Sequence, residues 1–277
     1  MTLGHRGTVT VEPIASDHPP GVPDMSDAQS TEPTAASPDE RVAFLVDVDN
    51  TLLDNDAAKE EIDRKMRLVL GDVETERFWE AYETVRRETG RVAVPQALVE
   101  YRRDLPAGTD PSVARDQHIA LADALIGVPY VDYVYPGAVD ALHVLREVGR
   151  VAILTEGDPA FQATKVARAE LADAVEGYVF VCPDKSAYLR EVAAIFPADR
   201  MVLVEDKADN IDRARRIFTG LGLAFSGIFV RQGKYAAATS PDWHGAELTV
   251  DTIGELAAMT PEAIAAALRT PIDSTIA

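Results

Sequence analysis

The chain has few of the residues that would make it a disulfide protein, a membrane protein or a nucleic-acid binder. Its one cysteine among 277 residues, Cys182, excludes an intramolecular disulfide and a zinc site of clustered cysteines, and fits a reducing compartment. Set between Val181 and Pro183, it reads as a small buried hydrophobe. No apolar run approaches the length of a membrane span, and the N-terminus lacks the basic-then-apolar order of a secretory signal. A cytoplasmic protein is expected. Basic residues are scarce, and 27 Lys plus Arg against 46 Asp plus Glu leave a net charge of −19, which disfavours binding to nucleic acid or anionic membrane.

Aromatic residues are missing from positions 1–40, which hold six of the 17 prolines and seven acids against the single Arg6. Such a stretch cannot bury enough apolar surface to offset its chain entropy, so a disordered tail is expected there. His5 and His18 fall in it without metal-ligand spacing.

The chain changes character after position 40. Val42 to Val46 and then Val48 are apolar with no helical period, which predicts a strand buried on both faces. It ends in Asp47, Asp49 and Thr51. A period of two points both acids the same way at the strand's mouth, where like charges need a cation or a shared proton. That pattern suits phosphoryl transfer, with Asp47 as nucleophile, Asp49 as general acid and base, and Thr51 bracing the loop. An acidic loop after a core strand is the plainer alternative.

The run Phe44-Leu-Val-Asp47-Val-Asp49-Asn-Thr51-Leu-Leu resembles the first motif of the haloacid dehalogenase-like phosphohydrolase superfamily. The second acid, Asp49, is the feature of its phosphatase and phosphomutase branches. The resemblance implies a doubly wound parallel α/β sheet, Rossmann-like, with a small inserted helical cap, and Mg²⁺ as cofactor.

Ala57 to Leu70 and Glu74 to Thr89 carry apolar residues at helical spacing, Pro95 to Arg103 suggests a third helix, and Asp110-Pro111 opens a fourth to Gly127. An insert of this length is too long for an ordinary connection. Residues 57–134 are therefore expected as a cap, hinged at Leu53 to Asp56 and at Val128 to Pro136. The α/β core would comprise 41–56 and 135–250, and 251–277 a C-terminal helix and tail.

From Pro136 on, helices alternate with short apolar runs, as in a parallel sheet. The predicted strands are Val151 to Leu154, Tyr178 to Val181, Met201 to Val204 and Ser226 to Val230, with an edge strand at Leu248 to Val250. Ligands of such sheets bind beyond the carboxyl ends of the strands.

Three further strand ends carry chemistry there. Thr155, with the turn Glu156-Gly157-Asp158, could receive a phosphate oxygen, and capping of the next helix by Asp158 carries equal weight. Lys185 stands at a helix start, where a cation is disfavoured unless it serves an anion. Glu205-Asp206 ends a second buried strand in acids. The resemblance makes Thr155 the second-motif hydroxyl, Lys185 the third-motif lysine and Asp206 the fourth-motif acid.

A magnesium site of Asp47, the Asp49 carbonyl and Asp206 is then expected, with Asp209 and Asn210 left open as its outer contact. Lys165 reads as a solvated surface lysine, and Arg231 to Tyr235 as a charged loop.

The implied activity is Mg²⁺-dependent hydrolysis of a small phosphate ester through an aspartyl-phosphate on Asp47. The alternatives are a sugar phosphomutase and a receiver-like or non-catalytic phosphate-binding module. The substrate's recognition is expected in the insert, from among Trp79, Tyr82, Arg86, Arg87, Tyr101, Arg102 and Arg103.

Overall fold

The computed structural model describes residues 40–90 and 93–272. The expected tail, with His5 and His18, lies outside the described residues except for Glu40, and so do positions 273–277.

Strand β1, Val42–Val46, is buried along its whole length. Val42, Phe44 and Val46 join one apolar cluster, Ala43 and Leu45 another. Side chains alternate across a strand, so a strand covered on both faces has no polar register. Five more strands complete a parallel sheet around it: β2 (Arg150–Glu156), β3 (Val179–Cys182), β4 (Arg200–Glu205), β5 (Ala224–Val230) and β6 (Leu248–Val250). The order is β3-β2-β1-β4-β5-β6. Strands β2 and β4 outrun their apolar stretches because polar ends such as Arg150 and Glu156 still pair by backbone, opposite Ala43 and Cys182.

Helices cover both faces. Against the Val42 face pack α5 (Ala138–Val148), α6 (Pro159–Arg168), α7 (Leu171–Ala174), α11 (Gly254–Ala257) and α12 (Pro261–Ala267). Against the Ala43 face pack α8 (Lys185–Ile195), α9 (Ala208–Gly220) and α10 (Gly233–Ala237). Helix α9 runs through Gly220, and the left-handed turn falls at Gly222, φ 75°.

Between β1 and α5 stand α1 (Asn55–Leu70), α2 (Asp72–Thr89), α3 (Val94–Arg103), α4 (Pro111–Ile126) and a 3₁₀ turn, Tyr130–Tyr133. Asp54 caps α1, taking the Ala57 N–H at 2.9 Å, and Asp110 caps α4. The cap on Asp54 explains why α1 starts at Asn55 rather than Ala57. The chain leaves the sheet at Leu53 and returns at Val134, and these two form an antiparallel bridge. The Asp54 N–H reaches the Tyr133 carbonyl at 2.8 Å and the Tyr135 N–H the Leu52 carbonyl at 2.9 Å. Leu52, Leu53, Val128 and Tyr130 are buried in one apolar cluster with Met66, Phe78, Tyr101 and Leu121 of the insert.

Among the described residues, no helix is long and apolar enough to cross a membrane.

Candidate active site

The chain steps from β1 outward to β2 and β3, then returns to β4 on the other side of β1. That switch opens a crevice beyond the carboxyl ends of β1 and β4. Val46 is in register with Val204, and the Asp47 N–H reaches the Val204 carbonyl at 3.0 Å. Asp47, Glu205 and Asp206 therefore meet at the sheet edge, all buried, each with a carboxylate oxygen within 4.8 Å of the others'.

Lys185, the first residue of α8, divides this cluster. Its Nζ donates to Asp47 Oδ1 at 2.5 Å and to Glu205 Oε2 at 2.6 Å. Glu205 also accepts from Asn210 Nδ2 at 3.0 Å and from the Lys207 N–H at 3.3 Å, so both of its oxygens are engaged. Asp47 Oδ2 and both oxygens of Asp206 are buried and meet no hydrogen-bond donor among the described residues.

The titrations reflect these contacts. Burial and the charges of Glu205 and Asp47 push Asp206 well above the carboxylate range. Burial also works against ionised Glu205, but Lys185 and Lys207 outweigh it and hold Glu205 low. Asp47 is raised, by burial first and then by Glu205, against the pull of Lys185.

Lys165 is where the structure corrects the sequence reading. It is 3% exposed, not a solvated surface lysine. Its Nζ donates to Asp49 Oδ1 at 2.7 Å and to Asn55 Oδ1 at 3.0 Å, while Gln162 Nε2 donates to Asp49 Oδ2 at 3.1 Å. Burial works against the Asp49 carboxylate, yet Lys165 and Gln162 leave it below its ordinary range. A signal was present: Gln162, Lys165 and Val166 of α6 and Ala169 at its C-terminal cap follow helical spacing on one face, and all are buried.

The loop between the two acids turns through Asn50, whose φ of 65° is left-handed and tolerated by asparagine. Its Oδ1 accepts from the N–H groups of Asn55 and Asp56. A Cβ at Gly233 would lie 2.5 Å from Asn50 Cβ, so glycine lets α10 close on this loop.

Thr51 Oγ1 and Thr155 Oγ1 are buried and without a partner among the described residues. The turn after Thr155 is more occupied than its sequence suggests. Gly157 donates its N–H to the Cys182 carbonyl at 2.9 Å, and the Glu156 carboxylate accepts the Lys185 N–H at 2.9 Å. Those two groups serve the protein itself. A Cβ at Gly157 would also meet Gln162 at 3.0 Å, so the glycine makes room for the side chain that reaches Asp49. Asp158 caps α6 through the Phe161 N–H at 2.9 Å.

The fourth strand end resolves in the same way. Asp209 points away, 83% exposed and 3.7 Å from Arg213, whereas Asn210 holds Glu205. Cys182 is buried, as expected, and burial pushes its thiol up to about 11.

Above the acids lies a cavity of about 170 Å³ lined by Asp47, Asp49, Lys165, Lys185 and Lys207 together with residues of α1 and α2. Three of the seven insert candidates, Trp79, Tyr82 and Arg86, line it. Tyr101 instead is buried, bonded to Glu74, and Arg102 donates to the Ala114 carbonyl. Arg87 and Arg103 are exposed. In place of the expected loop, α10 brings Tyr235 to the cavity wall, where it accepts from Arg86 at 3.3 Å. Arg231 is exposed and Lys234 pairs with Asp56 at 3.0 Å.

Residues 42–217 match the haloacid dehalogenase-like hydrolases. The chain belongs to this family. As a haloacid dehalogenase-like hydrolase it is an enzyme. A haloacid dehalogenase-like hydrolase from Burkholderia xenovorans LB400 is 34% identical, with a TM-score of 0.69 over 79% of this chain and 99% of that one. A family hydrolase from Xanthomonas campestris (17% identical, TM-score 0.57, 85% and 96% of the chains) shares the fold. So does a 2-haloacid dehalogenase from Pseudomonas syringae pv. Tomato (20% identical, TM-score 0.54, 82% and 99%). No curated protein matches the chain.

Proposed function

We propose that this hydrolase is a Mg²⁺-dependent phosphatase that cleaves a small phosphate ester through an aspartyl-phosphate on Asp47. The observation that carries the reading is the trio of buried, partnerless carboxylate oxygens, one on Asp47 and two on Asp206. Burying acceptors without donors is costly, and a hard divalent cation relieves that cost with oxygen ligands alone. Glu205, already saturated by Lys185, Asn210 and the Lys207 N–H, is the acid least free to serve.

Asp47, Asp206 and the Asp49 carbonyl would hold the ion, which supplies positive charge to the phosphoryl oxygens. The rest is the chain's own chemistry. Asp47 attacks phosphorus, and the bond to the ester oxygen breaks. Lys185 balances the charge on the nucleophile's side. Thr155 Oγ1 and Thr51 Oγ1, both unspent, donate to the phosphoryl oxygens and brace the loop.

Asp49 lies next to this centre, and its ion pair with Lys165 holds it as a carboxylate. That form takes a proton from the water that opens the aspartyl-phosphate and releases orthophosphate. In the first half-reaction the approaching phosphoryl dianion raises Asp49, which takes up a proton from solvent, and the carboxylic acid then gives that proton to the leaving oxygen. Residues 57–134 would act as a lid over the cavity, hinged at the Leu53–Val134 bridge.

A phosphate-release screen over small esters, with and without Mg²⁺, tests the reading. Release should need the metal and vanish in Asp47→Asn. Release of halide from 2-haloacids with no release of phosphate from any ester would defeat it.

A further inference from the structure

Charge on the cavity wall is distributed unevenly. Of the cations there, Lys185 is spent on Asp47 and Glu205, and Lys165 on Asp49. Lys207 faces the acidic cluster and lies over the Tyr235 ring at 4.7 Å. Lys59 of α1 and Arg86 of α2 have no such counter-charge. Lys59 forms no ion pair among the described residues. Its ammonium lies 3.5 Å from the Tyr82 hydroxyl and 5.5 Å from the centre of that ring. Among the described residues the one acid paired with Arg86 is Glu83, at 3.5 Å across an exposed helical turn, beside its hydrogen bond to the Tyr235 hydroxyl at 3.3 Å.

In a chain with 46 acids to 27 Lys plus Arg, a half-buried lysine on a cavity wall that forms no ion pair among the described residues requires a reason. The environment is already too positive for it. Burial, with the charges of Lys234, Lys165 and Arg86, lowers its proton affinity against the pull of Asp49, which is itself bound to Lys165. The phosphoryl group does not answer this, because its partners are the residues at the strand ends.

We infer that the substrate carries a second anionic group, a carboxylate or another phosphate, which Lys59 and Arg86 bind at the wall formed by α1 and α2. The inference rests on the phosphatase reading for the placement of the scissile group. The cavity, about 170 Å³, is smaller than the range of roughly 300–1,000 Å³ that holds drug-sized ligands. The ester is therefore short, with its two charges at opposite ends. Tyr82 and Trp79 supply the apolar surface between them.

Calorimetric binding with Mg²⁺ present reads this without turnover. Phosphonoacetate and methylenediphosphonate each carry a second anion, and ethylphosphonate, of similar size, does not. At least one of the first two should bind roughly tenfold tighter than ethylphosphonate or better, as expected for a charge-assisted hydrogen bond in a partly dry site. Lys59→Met and Arg86→Met should each remove most of that preference, and Lys59→Arg should keep it. The tighter of the two probes with a second anionic group identifies carboxylate or phosphate as that group.

Equal binding of all three probes overturns the inference. So does a uniform loss across them in both methionine variants. The two readings fail separately. A Lys59-dependent preference without hydrolysis of any ester would sink the phosphatase and keep the second-anion site, whereas Asp47-dependent phosphate release with no preference would do the reverse.

Discussion

The Lys165 ammonium lies 2.7 Å from Asp49 Oδ1, across 116 positions of sequence. Lys165 is 3% and Asp49 23% exposed at the side chain. Removing one partner of such a pair leaves the other charge buried and uncompensated, at a cost of about 3–5 kcal/mol.

Lys165→Met should therefore destabilise the protein by about 3 kcal/mol at neutral pH. Asp49 is depressed by the pair, so its contribution is present above the ordinary carboxylate range. It is lost as pH falls through the lowered value. The gap between wild type and variant in urea unfolding should thus narrow in acid. In the variant Asp49 titrates higher, and the acid limb of the rate should move to higher pH. A rate profile that keeps its acid limb would separate Lys165 from Asp49.

Asp206 and Asp209 should part in their metal response. Asp206 is held protonated by burial and by Glu205 and Asp47, so binding Mg²⁺ must release a proton, and the apparent affinity should rise with pH. Asp206→Asn exchanges this neutral acid for a neutral amide. The metal-free protein should melt no lower than wild type while Mg²⁺ no longer raises its midpoint. Asp209→Asn, exposed, should leave the Mg²⁺ titration of activity and of melting within error of wild type.

Lys59 gives a prediction of opposite sign. Its proton affinity is lowered to about 8 from the ordinary 10.5, so the fold disfavours the charged form. The penalty is full below pH 8, declines as pH rises, and is gone near the ordinary value. Lys59→Met should stabilise the ligand-free protein by roughly 1–3 kcal/mol at pH 7. The gain should fade by about pH 10. A gain that persists at high pH would reflect packing rather than charge.

The fold was legible because its signals are local. Val42 to Val46 could only be a strand covered on both faces, and the acids after it and after Val204 could only stand together at one sheet edge. What escaped was pairing. The sequence shows Lys165 two turns into a helix, and only the packing of α6 turns that face toward Asp49. Likewise Glu156 and Gly157 have the right types for a phosphate turn, but their groups are claimed by Lys185 and Cys182. Tyr101 and Arg86 look equivalent in the insert until packing buries one and leaves the other on the cavity wall.

Asp47 and Asp49 should fail differently when each is made asparagine. Asp47→Asn removes the attacking carboxylate, and with no acyl-phosphate possible every phosphate ester should go unhydrolysed, whatever its leaving group. Lys185 then keeps only Glu205. Asp49→Asn keeps the nucleophile and the main-chain carbonyl, but cannot protonate an alkoxide or draw a proton from water. Aryl phosphates need little protonation to leave, so the first half-reaction survives on them while the second stalls. Rapid-quench kinetics should show a burst of phenol of up to one equivalent, then slow turnover, with phosphate trapped on Asp47 and visible as an adduct by mass spectrometry. Alkyl phosphates should show almost no burst. Lys165, left without its carboxylate, makes this variant less stable as well, so the burst is to be normalised to folded protein by near-ultraviolet circular dichroism. A phosphate adduct on any other residue would assign the nucleophile elsewhere. Alkyl and aryl esters slowed alike in Asp49→Asn would remove Asp49 from the protonation of the leaving group.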